Sequence, residues 1–263
     1  MQLKDKELSY PYVVFVTLFT SVLLLVFAYP SLWELFIGAF HMREISSLLY
    51  PFLDMQGRLA AFEGHRAGVD MLNQGNPFDP MGRPNAKPSW PLHLSFLGLG
   101  VKHLILAGTV VVVGVWALVV SLIRPRRWLE VPILLAICLS PAVMLGLERA
   151  NDDLVYLLLL SCIPLVLKWK HAARVWVVWL IIFLLAPAKF YPGAAFTVLI
   201  LEIRNWRLLL GMMALGAVFL SGYLFVYWQE LQLLSEIVPR PHKYMTHGLA
   251  SIQINAKLPE FLY

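Results

Sequence analysis

Apolar positions along this chain fall in long, nearly unbroken runs. Tyr12 to Ala28, Leu104 to Ile123 and Leu208 to Trp228 approach or match the roughly 20 residues that carry a helix across the hydrocarbon of a bilayer. Two shorter intervals say more. Two crossings use up all 40 residues from Trp128 to Leu167, which squeezes the charged hexapeptide from Glu148 to Asp153 to headgroup depth or slightly below it. The 29 residues from Val175 to Ile203 are too few for two full crossings. They form either a short hairpin turning at Lys189 to Gly193 or one long helix kinked near Pro187 and Pro192. The hairpin is preferred because it keeps Arg204 and Arg207 on the cytoplasmic side, and both versions leave Lys189 at membrane depth. The expected fold is an all-α polytopic membrane protein with six to seven transmembrane helices and a long amphipathic first extracytoplasmic loop.

Basic residues sit in short connectors: Arg124, Arg126 and Arg127, then Lys168, Lys170 and Arg174, then Arg204 and Arg207. With these and Lys4 and Lys6 in the cytoplasm, the helices alternate under the positive-inside rule. The first loop, the hexapeptide, the turn at Lys189 and the C-terminal tail then all face outward. The organisation is an N-terminus and first helix over 1–36, the loop over 37–99, a helix bundle over 100–228 and an extracytoplasmic segment over 229–263. The first helix lacks a small-residue cleavage site after Ala28 and reads as uncleaved. In the loop, Leu48, Tyr50, Phe52, Met55, Leu59 and Phe62 make an apolar side suited to the membrane interface, with Trp33 and Trp90 as interfacial aromatics.

Composition narrows the class. The 263 residues are 59% hydrophobic and 14% charged, with a mean hydropathy of +0.71, whereas soluble domains carry about 25% charged residues. The net charge of +5 is scattered among the connectors, a topology signal and not a nucleic-acid patch. Cys138 and Cys162 lie inside apolar runs and read as small core residues without a disulfide. His41, His65, His93 and His103 lack HExxH spacing, and no Gly-x-Ser-x-Gly elbow, P-loop or GxGxxG is present. No metal or other cofactor is expected.

Three places could carry chemistry. Asp54 has Arg58 one turn later on the same helix face, either as an exposed ion pair of small energetic weight or as part of a site. In the hexapeptide, Asp152 or Asp153 caps the following helix while Glu148 and Arg149 rest among headgroups. Alternatively these four groups and Asn151 face a wet cavity or one another, since isolated charges at this depth are costly. Lys189 either snorkels to the interface or joins Arg149 in placing two cations at one level, an arrangement suited to phosphate or pyrophosphate. Taken together, a lipid-linked phosphate would set its tail between helices and its phosphate against Arg149 and Lys189. An acceptor hydroxyl would approach Asp54 as general base. This is glycosyl transfer from a polyprenyl carrier.

Three stretches carry a family resemblance: "DMQGRLAAFEGHRAGVDMLNQGNPFDPMGRP", "GLERANDDL" and "APAKFYP". In order and spacing, from Asp54 to Pro192, they are similar to motifs of the integral-membrane GT-C glycosyltransferases, in particular the polyprenyl-phosphate-mannose-dependent branch. Ala150 stands where that pattern expects glycine. The resemblance implies a polyprenyl-phosphate-sugar donor, a glycan, lipid or protein acceptor, and a cell membrane location with the site outward. It matches Asp54 to a catalytic loop aspartate and sets Arg149 and Lys189 near the donor phosphate. Arg58, Glu148, Asn151, Asp152 and Tyr191 complete the substrate-binding set. It also leads to an expectation of further helices beyond Tyr263. Competing readings are a transporter or flippase of a lipid-linked or anionic solute, and a non-catalytic membrane partner derived from such an enzyme. Charges gathered at one face, without an internal repeat, favour the enzyme.

Overall fold

The computed structural model describes residues 9–29, 31–32, 34–35, 52–70, 75–80, 90–189 and 191–237. Among them all regular structure is helical. In chain order the α-helices are α1 (Tyr10–Ala28), α2 (Leu53–Arg66), α3 (Leu104–Leu122), α4 (Glu130–Cys138), α5 (Pro141–Arg149), α6 (Asp152–Ser161), α7 (Ile163–Leu167), α8 (Arg174–Leu185), α9 (Phe196–Glu202) and α10 (Trp206–Ile237). Short 3-10 segments cover Trp90–Leu97, Val101–His103 and Tyr191–Ala195.

Three helical stretches are long and apolar enough to cross a membrane: Tyr10–Ala28, Val101–Leu122 and Trp206–Leu233. The pair α4 and α5, bent by 45° at the break before Pro141, makes a fourth when taken as one span. Proline at the first helical position has no N–H to continue the preceding ladder, so the apolar run divides there. The remaining apolar runs are also in pieces, α6 and α7 breaking at Cys162 and Pro164, and α8 and α9 at the turn after Leu185. Hydropathy counted these as further crossings.

At the arginine-bearing end of the bundle, Ser9 caps α1 and its hydroxyl donates to the Pro125 carbonyl at 2.9 Å. Tyr12 donates to the Val120 carbonyl at 2.9 Å. These bonds hold the start of α1 against the end of α3, so the two helices run antiparallel. Phe15, Phe19 and Leu23 pack with Val115, Val131, Cys138, Met144 and Leu147 in an apolar core. Cys138 is buried there as expected, whereas Cys162 is exposed, and both are free thiols.

The apolar side of α2 lies on protein, not on the membrane interface as its amphipathic pattern suggested. Met55, Leu59 and Phe62 are buried against Leu92, Val111 and Ala150. The reason is proximity: α3 and the α5–α6 turn offer apolar surface beside the helix, and docking there also gives its polar edge partners. Leu48, Tyr50 and Trp33 lie outside the described residues. Phe52 begins this docking, its ring set into the notch at Gly108 of α3, where an added Cβ would stand 2.1 Å from Phe52 Cδ2. Gly108→Ala is therefore expected to destabilise the fold by about 1–3 kcal/mol, the usual cost of overpacking. A lowered thermal unfolding midpoint in detergent is the measurement, and an unchanged midpoint would mean that the notch is not needed.

Of the two readings of residues 175–203, the hairpin is the one observed. Arg174, at the start of α8, pairs with Glu202, at the end of α9, and also donates to the Leu167 carbonyl at 3.0 Å. The chain therefore returns to its starting level. At 1.5 Å per residue the 12 residues of α8 rise only about 18 Å. Trp179 bonds the Met212 carbonyl of α10 at 3.1 Å, and Tyr223 of α10 bonds the Pro187 carbonyl at 3.1 Å. Lys189 is thereby held at the hairpin tip.

Candidate functional site

The hexapeptide folds as a tight joint between α5 and α6. Ala150 takes a left-handed conformation, φ 44° and ψ 54°, and its N–H bonds the Leu147 carbonyl while that of Asn151 bonds the Gly146 carbonyl. This closes α5 in the manner usually served by glycine. Asn151 then caps α6, its Oδ1 accepting the Asp153 N–H at 2.9 Å. The capping role weighed for Asp152 or Asp153 thus belongs to Asn151. Only residues 150 and 151 separate the two helices, so Arg149, Asn151 and Asp152 leave one turn together.

They meet α2. Arg149 Nη2 donates to Asp54 Oδ1 at 2.7 Å, and Asn151 Nδ2 donates to Asp54 Oδ2 at 2.9 Å. Arg58 Nη2 donates to Asp152 Oδ2 at 2.8 Å. Below them the Phe52 N–H bonds the Glu148 carbonyl at 3.0 Å. The i, i+4 spacing of Asp54 and Arg58 does set them on one face, but each reaches across to the turn and not to the other. Nor are these exposed pairs: the Asp54 side chain is 15% exposed and those of Arg58 and Asp152 are 10% and 8%.

Lys189 joins from the hairpin tip, its Nζ 2.7 Å from Asp153 Oδ1, with both side chains substantially exposed. The three stretches singled out in the sequence are therefore linked through side chains. The Glu148 side chain is buried beside them. Tyr191 opens the 3-10 turn after the tip, and its side chain lies outside the described residues. The network pairs three carboxylates, Asp54, Asp152 and Asp153, with three cations, Arg149, Arg58 and Lys189.

Sequence reasoning did not select Asp153 as the partner of Lys189, nor Tyr156 and Gln56, which are buried around the network. Tyr156, four residues after Asp152 and the only hydroxyl in that leucine run, carried a readable signal. It also missed an aromatic group beside the hairpin tip. Trp90 Nε1 donates to the Leu184 carbonyl at 3.0 Å, and its ring meets those of Phe219 and Tyr223 edge-on. His93 Nε2 bonds the Tyr227 hydroxyl, and His65 meets His93 edge-on at 5.9 Å. Trp90 is thus a clamp between α8 and α10.

Chemically, Asp54 is a partly accessible carboxylate held through both oxygens. A carboxylate offers about four acceptor positions, and Arg149 and Asn151 occupy two of them, which leaves capacity for an incoming hydroxyl. The cations are matched by carboxylates, so an anionic ligand has to share or displace one. Lys189 is the cheapest to displace, because exposed pairs of this kind are worth about 0.2–1 kcal/mol. Among the described residues, no group of three His, Cys, Asp or Glu side chains is arranged to hold a metal ion. The chain matches no protein-family model, no curated protein and no solved structure.

Proposed function

We propose that this chain is a membrane glycosyltransferase that moves a sugar from a polyprenyl-phosphate donor to a hydroxyl acceptor at the extracytoplasmic face. The observation that carries this reading is Asp54, gripped by Arg149 and Asn151 of the α5–α6 turn and still 15% exposed. In the proposed reaction the acceptor oxygen attacks the anomeric carbon and the bond from that carbon to the phosphate oxygen breaks. Polyprenyl phosphate leaves with the bonding electrons, and Asp54 takes the hydroxyl proton. Lys189 trades Asp153 for the donor phosphate, Arg149 lies beside it, and Arg58 holds α2 in place. The topology that goes with this has seven passages: α1, α3, the broken pairs α4–α5 and α6–α7, the two arms of the short α8–α9 hairpin, and α10.

One observation favours a second reading, a transporter of a lipid-linked or anionic solute: the helices break where the charges collect, at Asn151 and at the Lys189 tip. Protein reconstituted in liposomes with a polyprenyl-phosphate mannose donor and an alkyl glycoside acceptor separates the two. The expected result is acceptor glycosylation with release of polyprenyl phosphate. Movement of intact donor between leaflets without product would establish the transporter instead.

A further inference from the structure

We infer that Asn151 is a positioning residue that sets the direction in which Asp54 presents its carboxylate. Its amide has no freedom to turn. Oδ1 is committed to the Asp153 N–H as the cap of α6, so Nδ2 is committed to Asp54. Rotating the amide by half a turn would set oxygen against carboxylate oxygen and NH2 against N–H, losing both bonds and adding two repulsive contacts. The backbone on either side is equally fixed, with Ala150 in the left-handed region and the Asn151 N–H bonded to Gly146.

Arg149 supplies the other donor to Asp54, through one Nη at the end of a long side chain. A single donor on one oxygen leaves the carboxylate free to swing about that contact. The second bond, from a short side chain anchored by a helix cap, removes the swing. Arg58 acts at a different place, holding α2 to the turn through Asp152. The inference rests on the proposed reaction for its catalytic meaning, whereas its geometric part stands on these bonds alone.

Asn151→Ser separates the two jobs of this side chain, because serine caps a helix about as well as asparagine but carries no amide N–H to give Asp54. Asn151→Asp keeps the capping oxygen and turns the other arm from donor into acceptor. In nanodiscs supplied with polyprenyl-phosphate mannose and an alkyl glycoside, Asn151→Ser should lower kcat by about 10- to 100-fold, the scale of small misplacements at a reacting group. KM for the donor and the thermal midpoint should stay near wild type, and Asn151→Asp should lose more. In parallel, carbodiimide-promoted coupling of methylamine to Asp54, followed by peptide mass spectrometry, should be faster in Asn151→Ser than in wild type. Equal coupling rates at an unchanged midpoint overturn the inference. If Asp54→Asn transfers sugar at the normal rate, the base assignment fails on its own, and the coupling rate still decides the role of Asn151.

Discussion

Asp54→Asn is expected to lower the proposed sugar transfer by about 10²- to 10⁴-fold, the range that a positioned general base contributes. The substitution keeps the size of the side chain and removes its basicity. It also sets an amide against two donors, Arg149 and Asn151, so its NH2 must face one of them or turn away. Some loss of stability therefore accompanies the loss of rate, and the two have to be measured separately. The assay is donor consumption at saturating donor, with the thermal midpoint taken on the same preparation. A folded Asp54→Asn protein that consumed donor at the normal rate would remove Asp54 from the reaction.

The largest effect on stability is expected from Arg58. Arg58→Met takes away the cation from Asp152 in a setting where both side chains are at most 10% exposed. Removing one partner of a buried ion pair costs about 3–5 kcal/mol, because the other charge stays desolvated. Replacing both partners by apolar residues avoids that penalty, so Arg58→Met combined with Asp152→Leu should be more stable than Arg58→Met alone. Denaturant titration in mixed micelles reads the order. If the double variant were the less stable of the two, the pair would be acting through something other than charge compensation. Asp54 differs in kind, its pair with Arg149 being the more exposed of the two ion pairs between α2 and the turn.

Which parts of this were legible beforehand follows from the range of the forces involved. The runs around Phe15, Val111 and Met212 declared themselves as apolar helices because burial in lipid or protein needs only composition. Counting residues between Trp128 and Leu167 was enough to set Arg149 and Asn151 at a tight turn, and the placement of Arg204 and Arg207, not the count from Val175 to Ile203, favoured a hairpin with Lys189 at its tip. Pairing was not legible. Asp54 to Arg149 spans 95 positions, and Arg58 to Asp152 spans 94. Nothing local distinguishes those pairings from Asp54 with Arg58, which the helical repeat makes the obvious choice. The division of apolar runs at Pro141 and Cys162 was also hidden, since hydropathy measures transfer into an apolar medium and is blind to where a backbone ladder stops. The aromatic clamp of Trp90 depends on the approach of α10 to the hairpin tip, which no short stretch encodes.

The shortness of the α8–α9 hairpin ties the site to the mechanical state of its solvent. Trp176, Leu180 and Leu184 follow one another at four-residue intervals and form an exposed apolar stripe along α8. The helix that carries it is only about 18 Å tall, against a hydrocarbon slab of about 30 Å. In the proposed seven-passage topology, lipid lying against it would have to compress, or Lys189 and Asp153 would sit beneath the headgroups, and such mismatch costs fractions of a kcal/mol for each ångström. Short or fluid acyl chains relieve this strain and thick, ordered ones increase it. In that topology acyl-chain length would be a control variable on the Lys189–Asp153 contact, acting from the side of the molecule with no ligand involved.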